Sequence, residues 1–144
     1  MKIGFDLDGV LDRPALRDLC LSLLQGQHEV HIITGIFPEA GEWQNMPAKR
    51  EKMDRLRIPY TAPIMPDPRG GVMLHKHAFP GTVMLHVLDA VPPTFDRDYR
   101  LADLGLRKGA LCERLGIEMF FDDSEEYCKM IPKMSGATTV LQVR

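Results

Sequence analysis

The sequence predicts an α/β protein built on a parallel sheet with helices on both faces. Short apolar runs typical of strands alternate with helical patterns along most of the chain. The first strand–helix–strand unit spans only about thirty residues, a length for which a parallel pair joined by a helix is the natural solution. Strands that alternate with helices in this way favour a three-layer α/β/α arrangement.

Length and composition place limits on the kind of protein. A chain of 144 residues predicts a single domain, 1–144, with a real core. Its net charge of −2 is too small to indicate a nucleic-acid or membrane surface. No apolar stretch approaches the roughly 20 residues of a membrane helix, and the first residues lack signal-peptide character. Three widely spaced cysteines favour a reducing cytoplasm, which is the location we expect.

The first part of the chain predicts three strands and two helices. Pro14 suits the first turn of the first helix, and Gly26 ends it. The second helix has more Lys and Arg than acidic residues, which could bind phosphate or nucleic acid, but a solvated face is the simpler interpretation. The predicted elements are strands 2–7, 29–34 and 58–65 and helices 14–25 and 47–57.

Residues 66–100 interrupt this alternation. Seven of the eleven prolines fall between Pro59 and Pro93. The tetrapeptide Val-Met-Leu-His occurs at 72–75 and again at 83–86, with a Pro80-Gly81 turn signal between them. These features predict a short β-hairpin insert, which could act as a flap.

The regular pattern returns after residue 100. Asp103 is a candidate cap for a helix over 104–115, which Gly116 ends. Asp123 and Glu126 resemble a capping pair for the last helix, which ends near Pro132. Strands are predicted at 117–121 and 137–143.

Chemically useful side chains follow three of the predicted strands. Asp6 and Asp8 close the first strand, Thr34 and Gly35 the second, and Asp122 and Asp123 the fourth. The carboxyl ends of parallel strands meet at one edge, where open α/β sheets bind ligands. Asp-x-Asp-Gly is also an ordinary turn composition. However, carboxylates gathered there, with Lys108 on the preceding helix, suit a hard divalent cation and a phosphoryl group.

The same residues resemble the four motifs of the haloacid dehalogenase-like phosphatases. The motifs read Phe-Asp-Leu-Asp-Gly-Val-Leu at 5–11, Ile-Ile-Thr-Gly at 32–35, Lys108, and Phe-Phe-Asp-Asp at 120–123. The resemblance covers about 1–65 and 101–143, and it looks nearest to the small nucleotidase-like and polynucleotide-phosphatase-like branches. It implies a Rossmann-like core with a minimal cap.

The resemblance also implies a role for each motif residue. Asp6 would be the nucleophile that forms an aspartyl-phosphate, and Asp8 the general acid and base. Thr34 would hydrogen-bond a phosphoryl oxygen, and Lys108 would offset its charge. Mg²⁺ would be bound by the Asp6 carboxylate, the Asp8 backbone carbonyl and the two acidic residues that end the fourth strand, Asp122 and Asp123.

Specificity is expected to lie in the insert. Without a large cap, the open site suits a nucleotide or the terminal phosphate of a nucleic acid. Gly35, Arg69, His75 and His77 are candidate substrate contacts, although a solvated hairpin would place the last three in water. His75 and His77 could also suggest zinc, but no further ligands follow at suitable spacing.

These observations lead to one expected function and two alternatives. We expect a Mg²⁺-dependent phosphomonoester hydrolase that acts on a nucleotide or nucleic-acid end. The alternatives are a catalytically silent protein of the same fold that binds a ligand or partner, and a phosphatase for another small phosphometabolite. The expected partners are a phosphorylated small molecule or a nucleic-acid end, with no membrane, in a monomer or homodimer.

Overall fold

A computed structural model of the chain describes residues 1–37, 46–61, 78–92 and 94–144. In these residues six strands form one all-parallel sheet flanked by four helices, which confirms the predicted α/β class. No helix among them combines the length and apolarity needed to cross a bilayer. The strands are β1 (Lys2–Phe5), β2 (Glu29–Ile36), β3 (Tyr60–Thr61), β4 (Val83–Asp89), β5 (Met119–Asp122) and β6 (Thr139–Gln142). The helices are α1 (Pro14–Gln25), α2 (Met46–Arg55), α3 (Arg97–Leu115) and α4 (Glu125–Met134).

The strand order puts β1 in the interior of the sheet. The order is β3-β4-β2-β1-β5-β6, and every neighbouring pair is parallel. The chain builds outward from β1 through β2 and then crosses back, through α3, to β5 on the other side. Because the winding direction reverses at β1, the carboxyl end of β1 is the switch point where such sheets form a ligand crevice.

Helices cover both faces of this sheet. Ile32 packs in a buried cluster with Cys20 of α1 and Met53 of α2. Its neighbour Ile33 packs in a second cluster with Leu104 of α3, and α4 lies along α3. Adjacent residues of β2 thus face opposite helical layers, as the pleat requires. The result is the predicted three-layer arrangement.

The predicted hairpin is wrong for its second arm. Residues 83–86 belong to β4, which pairs in parallel with β2 and places His86 opposite Ile33. Val83 and Leu85 are fully buried, as expected for a strand inside a parallel sheet. The first arm, 72–75, lies outside the described residues.

Two helices begin at caps other than those predicted. Helix α3 starts at Arg97 because the Asp96 side chain accepts a hydrogen bond from the Asp98 amide at 2.9 Å. In α4 the cap is Ser124, whose hydroxyl accepts from the Tyr127 amide at 3.3 Å. Asp123, the predicted cap, is thereby left for another role.

A hydrogen-bonded pair of histidines joins β2 to β4. His31 Nδ1 lies 3.0 Å from His86 Nε2, and His31 Nε2 lies 2.7 Å from Glu29 Oε1. Burial lowers the pKa of His31 although Glu29 opposes the shift. Burial, with repulsion from His31 and Arg114, lowers the pKa of His86 to about 3. The folded protein therefore holds both imidazoles neutral at pH values where the unfolded chain protonates them.

The low pKa values of the two histidines are expected to make the protein less stable in acid. The free energy of unfolding should fall as the pH drops from about 6.5 towards 3, because the unfolded state then binds more protons than the folded state. We expect His86→Gln, which keeps a hydrogen-bonding side chain, to flatten the pH dependence by up to about 1.4 kcal/mol per pH unit. Urea unfolding between pH 7 and pH 4 measures this. Parallel curves for the wild type and the variant would contradict the assignment.

Candidate ligand site at the carboxyl edge of the sheet

A buried lysine lies between two carboxylates from neighbouring strands. Asp6 directly follows β1, and its amide donates to the Phe121 carbonyl of β5 at 2.8 Å. Asp122 is the last residue of β5. Lys108 of α3 places Nζ 3.2 Å from Asp6 Oδ1 and 2.8 Å from Asp122 Oδ2. The structure thus brings together the side chains of three residues that the sequence analysis assigned to one site.

The charge of Lys108 is maintained by these neighbours. Burial alone would lower its pKa, but Asp6 and Asp122 together raise it above its usual value. The Tyr127 ring adds a favourable contact, with its centroid 4.3 Å from Nζ. Lys108 therefore stays a cation in the interior, where an unpaired charge is strongly destabilising.

One ammonium does not fully relieve the two buried carboxylates. Burial raises the pKa of Asp6 to about 7, Lys108 opposes the shift, and repulsion from Asp122 adds to it. The second oxygen of Asp122 accepts from the Ser124 amide at 3.0 Å. The raised pKa of Asp6 means that Lys108 alone does not offset the burial of this carboxylate, so a further positive charge would stabilise its ionised form.

A third carboxylate completes an acidic group on the solvent side. Asp6, Asp122 and Asp123 offer one oxygen each within 4.8 Å of one another, and Asp123 is exposed. Burial and the charge of Asp122 raise the pKa of Asp123. With Lys108 included, the formal charge of these four groups is −2, which a divalent cation would neutralise. Carboxylate oxygens are the ligands that Mg²⁺ prefers, so the residues fit the predicted ion.

Gly9 allows the loop after β1 to approach this group. Its φ is +77°, in the left-handed region, and a Cβ there would collide with the Asp123 carboxylate. The backbone conformation therefore favours glycine at this position, and a side chain here would displace the Asp123 carboxylate.

Asp8 lies outside the acidic group and has different partners. Its carboxylate accepts hydrogen bonds from Lys49 and from Lys52, the latter at 2.8 Å. Lys52 also donates to Asp12 at 2.8 Å. Burial would raise the pKa of Asp8, but the two lysines lower it. A carboxyl held ionised in this way is a poor proton donor, contrary to the role expected from the motif.

The other predicted site residues have varied positions. Thr34 is buried in β2 opposite Val87. Gly35 also lies within β2, which continues to Ile36, so this glycine does not close the strand as predicted. Three candidate substrate contacts, Arg69, His75 and His77, lie outside the described residues.

Sequence reasoning missed the low exposure of two lysines on α2. Lys49 is 1% exposed, and the Lys52 side chain is 14% exposed. The prediction that the charged residues of this helix form a solvated face is therefore wrong for these two lysines. Lys49 and Lys52 are three residues apart, which puts both side chains on one helix face, and this spacing could have indicated a shared partner.

Comparisons with known proteins found a likeness to solved structures. No family model matches the chain, and no curated protein matches it. A solved structure of a universal stress protein in complex with cAMP covers 100% of this chain and 98% of its own. The sequence identity is 11% and the TM-score is 0.48.

These results correct the family identification drawn from the four motifs. No family model matches the chain, and the solved structure reported above is that of a universal stress protein. The predictions of a phosphatase, of hydrolysis through an aspartyl-phosphate and of the nucleotidase-like branches find no support in these comparisons and are not carried further. The lysine contacts of Asp8 agree with this correction, because they disfavour its predicted role as an acid.

Proposed function

We propose that this chain binds a phosphorylated small molecule, specifically a nucleotide, through a divalent cation at the carboxyl edge of the sheet. The observation that carries the proposal is the group formed by Asp6, Asp122 and Asp123, whose oxygens lie within 4.8 Å of one another beside Lys108. Phosphate oxygens are suitable additional ligands for Mg²⁺ held by one or two carboxylates.

Charge and position support the same proposal. Asp6 and Asp122 are buried, so their repulsion is weakly screened and a cation there relieves a real cost. Asp123 is exposed and therefore leaves one side open to a ligand. The group also lies at the switch point of a parallel sheet, the usual crevice for ligands in this architecture.

The remaining predicted residues have binding roles in this proposal. The Asp8 backbone carbonyl would add an oxygen to the cation, and the Thr34 hydroxyl and Gly35 would contact the phosphate. Lys108 would balance the charge of the carboxylates. Arg69, His75 and His77 stay predictions for the rest of the ligand.

The proposal predicts cation-dependent nucleotide binding that requires Asp123. We expect AMP to bind in the presence of Mg²⁺, and Asp123→Asn to weaken Mg²⁺ and AMP binding by about tenfold or more, because one carboxylate ligand is lost. Isothermal titration calorimetry measures both affinities. Asp18→Asn is the matched control, since its side chain is 69% exposed on α1 and should bind as the wild type does.

Several outcomes would refute this function. AMP binding that is unchanged by a chelator would remove the cation from the proposal. Equal affinities for the wild type and Asp123→Asn would remove the acidic group. Release of inorganic phosphate during the titration, followed by ³¹P NMR, would contradict a purely binding role. Binding of cAMP, tested in parallel, would show whether a phosphate diester is accepted.

A further inference from the structure

Two lysines of α2 converge on one carboxylate beside the acidic group. Lys49 and Lys52 both donate to Asp8, and Lys52 also donates to Asp12. The Asp8 side chain is 39% exposed, whereas that of Lys49 is 2% exposed. The Lys49 ammonium is therefore buried and that of Lys52 is partly exposed, while the carboxylate that both bind is more exposed than either.

Burying an ammonium group in this way costs free energy unless an anion compensates its charge. Removing an ammonium from water costs several kcal/mol, and an ordinary solvated helix would leave it exposed. Here α2 buries the Lys49 ammonium and brings the partly exposed Lys52 ammonium to the same carboxylate, at a spacing of three residues. Together they form a preorganised binding place for an anion of more than one oxygen.

This lysine pair lies next to the proposed cation site. Asp6 contacts the buried Lys108, and Asp8 contacts the lysine pair. Asp6 and Asp8 are separated by one residue, in the bend and turn that follow β1. Because the two carboxylates contact different lysines, two linked phosphates supply one anion for each place.

We propose that Lys49 and Lys52 form a second anion-binding subsite that takes the terminal phosphate of a nucleoside diphosphate, in competition with Asp8. This inference rests on the proposed function, because the first phosphate is placed on the cation at Asp6. The ligand oxygen takes the position of the Asp8 carboxylate, which turns outward to solvent. The partial exposure of the Asp8 side chain permits this exchange, and the two lysines stay in place.

If the phosphate competes with Asp8 for the lysines, replacing a lysine and replacing Asp8 should change ADP binding in opposite directions. We expect ADP to bind about tenfold more tightly than AMP in Mg²⁺, since its second phosphate accepts charge-assisted hydrogen bonds from the two lysines. Lys52→Gln should bring the two affinities within about threefold of each other and leave AMP binding little changed. Asp8→Asn, which keeps the backbone carbonyl, should strengthen ADP binding because the competing charge is removed.

Isothermal titration calorimetry with AMP and ADP tests this on the full chain. Lys129→Gln is the matched control, because this lysine on α4 is 65% exposed and should keep the wild-type preference for ADP. Circular dichroism confirms that each variant is folded, and Lys52→Gln is preferred to Lys49→Gln because its side chain is less buried.

The outcomes separate this inference from the proposed function. If neither nucleotide binds in Mg²⁺, the proposed function fails and the subsite fails with it. If AMP binds and ADP binds no more tightly, the proposed function stands and the subsite is overturned. A preference for ADP that survives in Lys52→Gln, or weaker ADP binding by folded Asp8→Asn, also overturns it.

Discussion

Replacing Lys108 with methionine is expected to lower the free energy of unfolding by about 3–5 kcal/mol. The reason is that Asp6 and Asp122 would be left in the interior without their shared cation. Methionine fills much of the same space, so the loss reports charge rather than a cavity. Urea unfolding at pH 7 without divalent ions measures the change.

Addition of Mg²⁺ should recover part of this loss. A divalent cation on Asp6, Asp122 and Asp123 supplies the positive charge that the variant lacks, so its melting temperature should rise more than that of the wild type. Lys129→Met is the matched control, because its exposed pair with Glu125 contributes little. A Lys108→Met protein as stable as the wild type without Mg²⁺ would refute the role of this lysine.

Replacing Gly9 with alanine is expected to weaken binding of the divalent cation by about tenfold or more and to reduce stability. Its φ of +77° costs an L-residue about 1–2 kcal/mol. The added Cβ also displaces the Asp123 carboxylate, which is the exposed member of the acidic group. Calorimetric titration with Mg²⁺ and thermal unfolding measure the two effects separately.

Gly81 offers a control with the same backbone and no neighbour. Its φ is +76°, and nothing lies within 4 Å of the position where a Cβ would be. Gly81→Ala should therefore lose about 1–2 kcal/mol of stability and keep the wild-type affinity for Mg²⁺. Wild-type affinity in Gly9→Ala, or an equal loss in both variants, would show that contact with Asp123 is not the cause.

Local patterns were sufficient for much of the fold and for the acidic group. Apolar runs that end in polar residues predicted β1 and β5, and parallel pairing then places their ends at one edge. Asp6, Asp122 and Asp123 follow from this rule without knowledge of any contact. Lys108 was also predicted, because it lies on the helix that leads into β5.

Features that depend on distant partners were not predictable in this way. The sequence of residues 83–86 is equally compatible with one arm of a hairpin and with a strand inside the sheet. Only the pairing with β2 distinguishes these two structures. Lys49 and Lys52 lie on a highly charged helix, so their burial depends on the carboxylate that the loop after β1 presents. The four short motifs were not matched by any family model, so they did not establish a family.

The interior position of β1 has a consequence for the order in which a nascent chain assembles. Strand β2 can pair with one edge of β1, and β4 with β2, while the ribosome is still making the rest, but β5 arrives only after α3. Asp6 therefore has no buried carboxylate beside it until Asp122 emerges, and Lys108 has by then already left the ribosome. Lys108 is therefore available before Asp122 can repel Asp6. The strands on the β2 side of β1 can form without that electrostatic penalty.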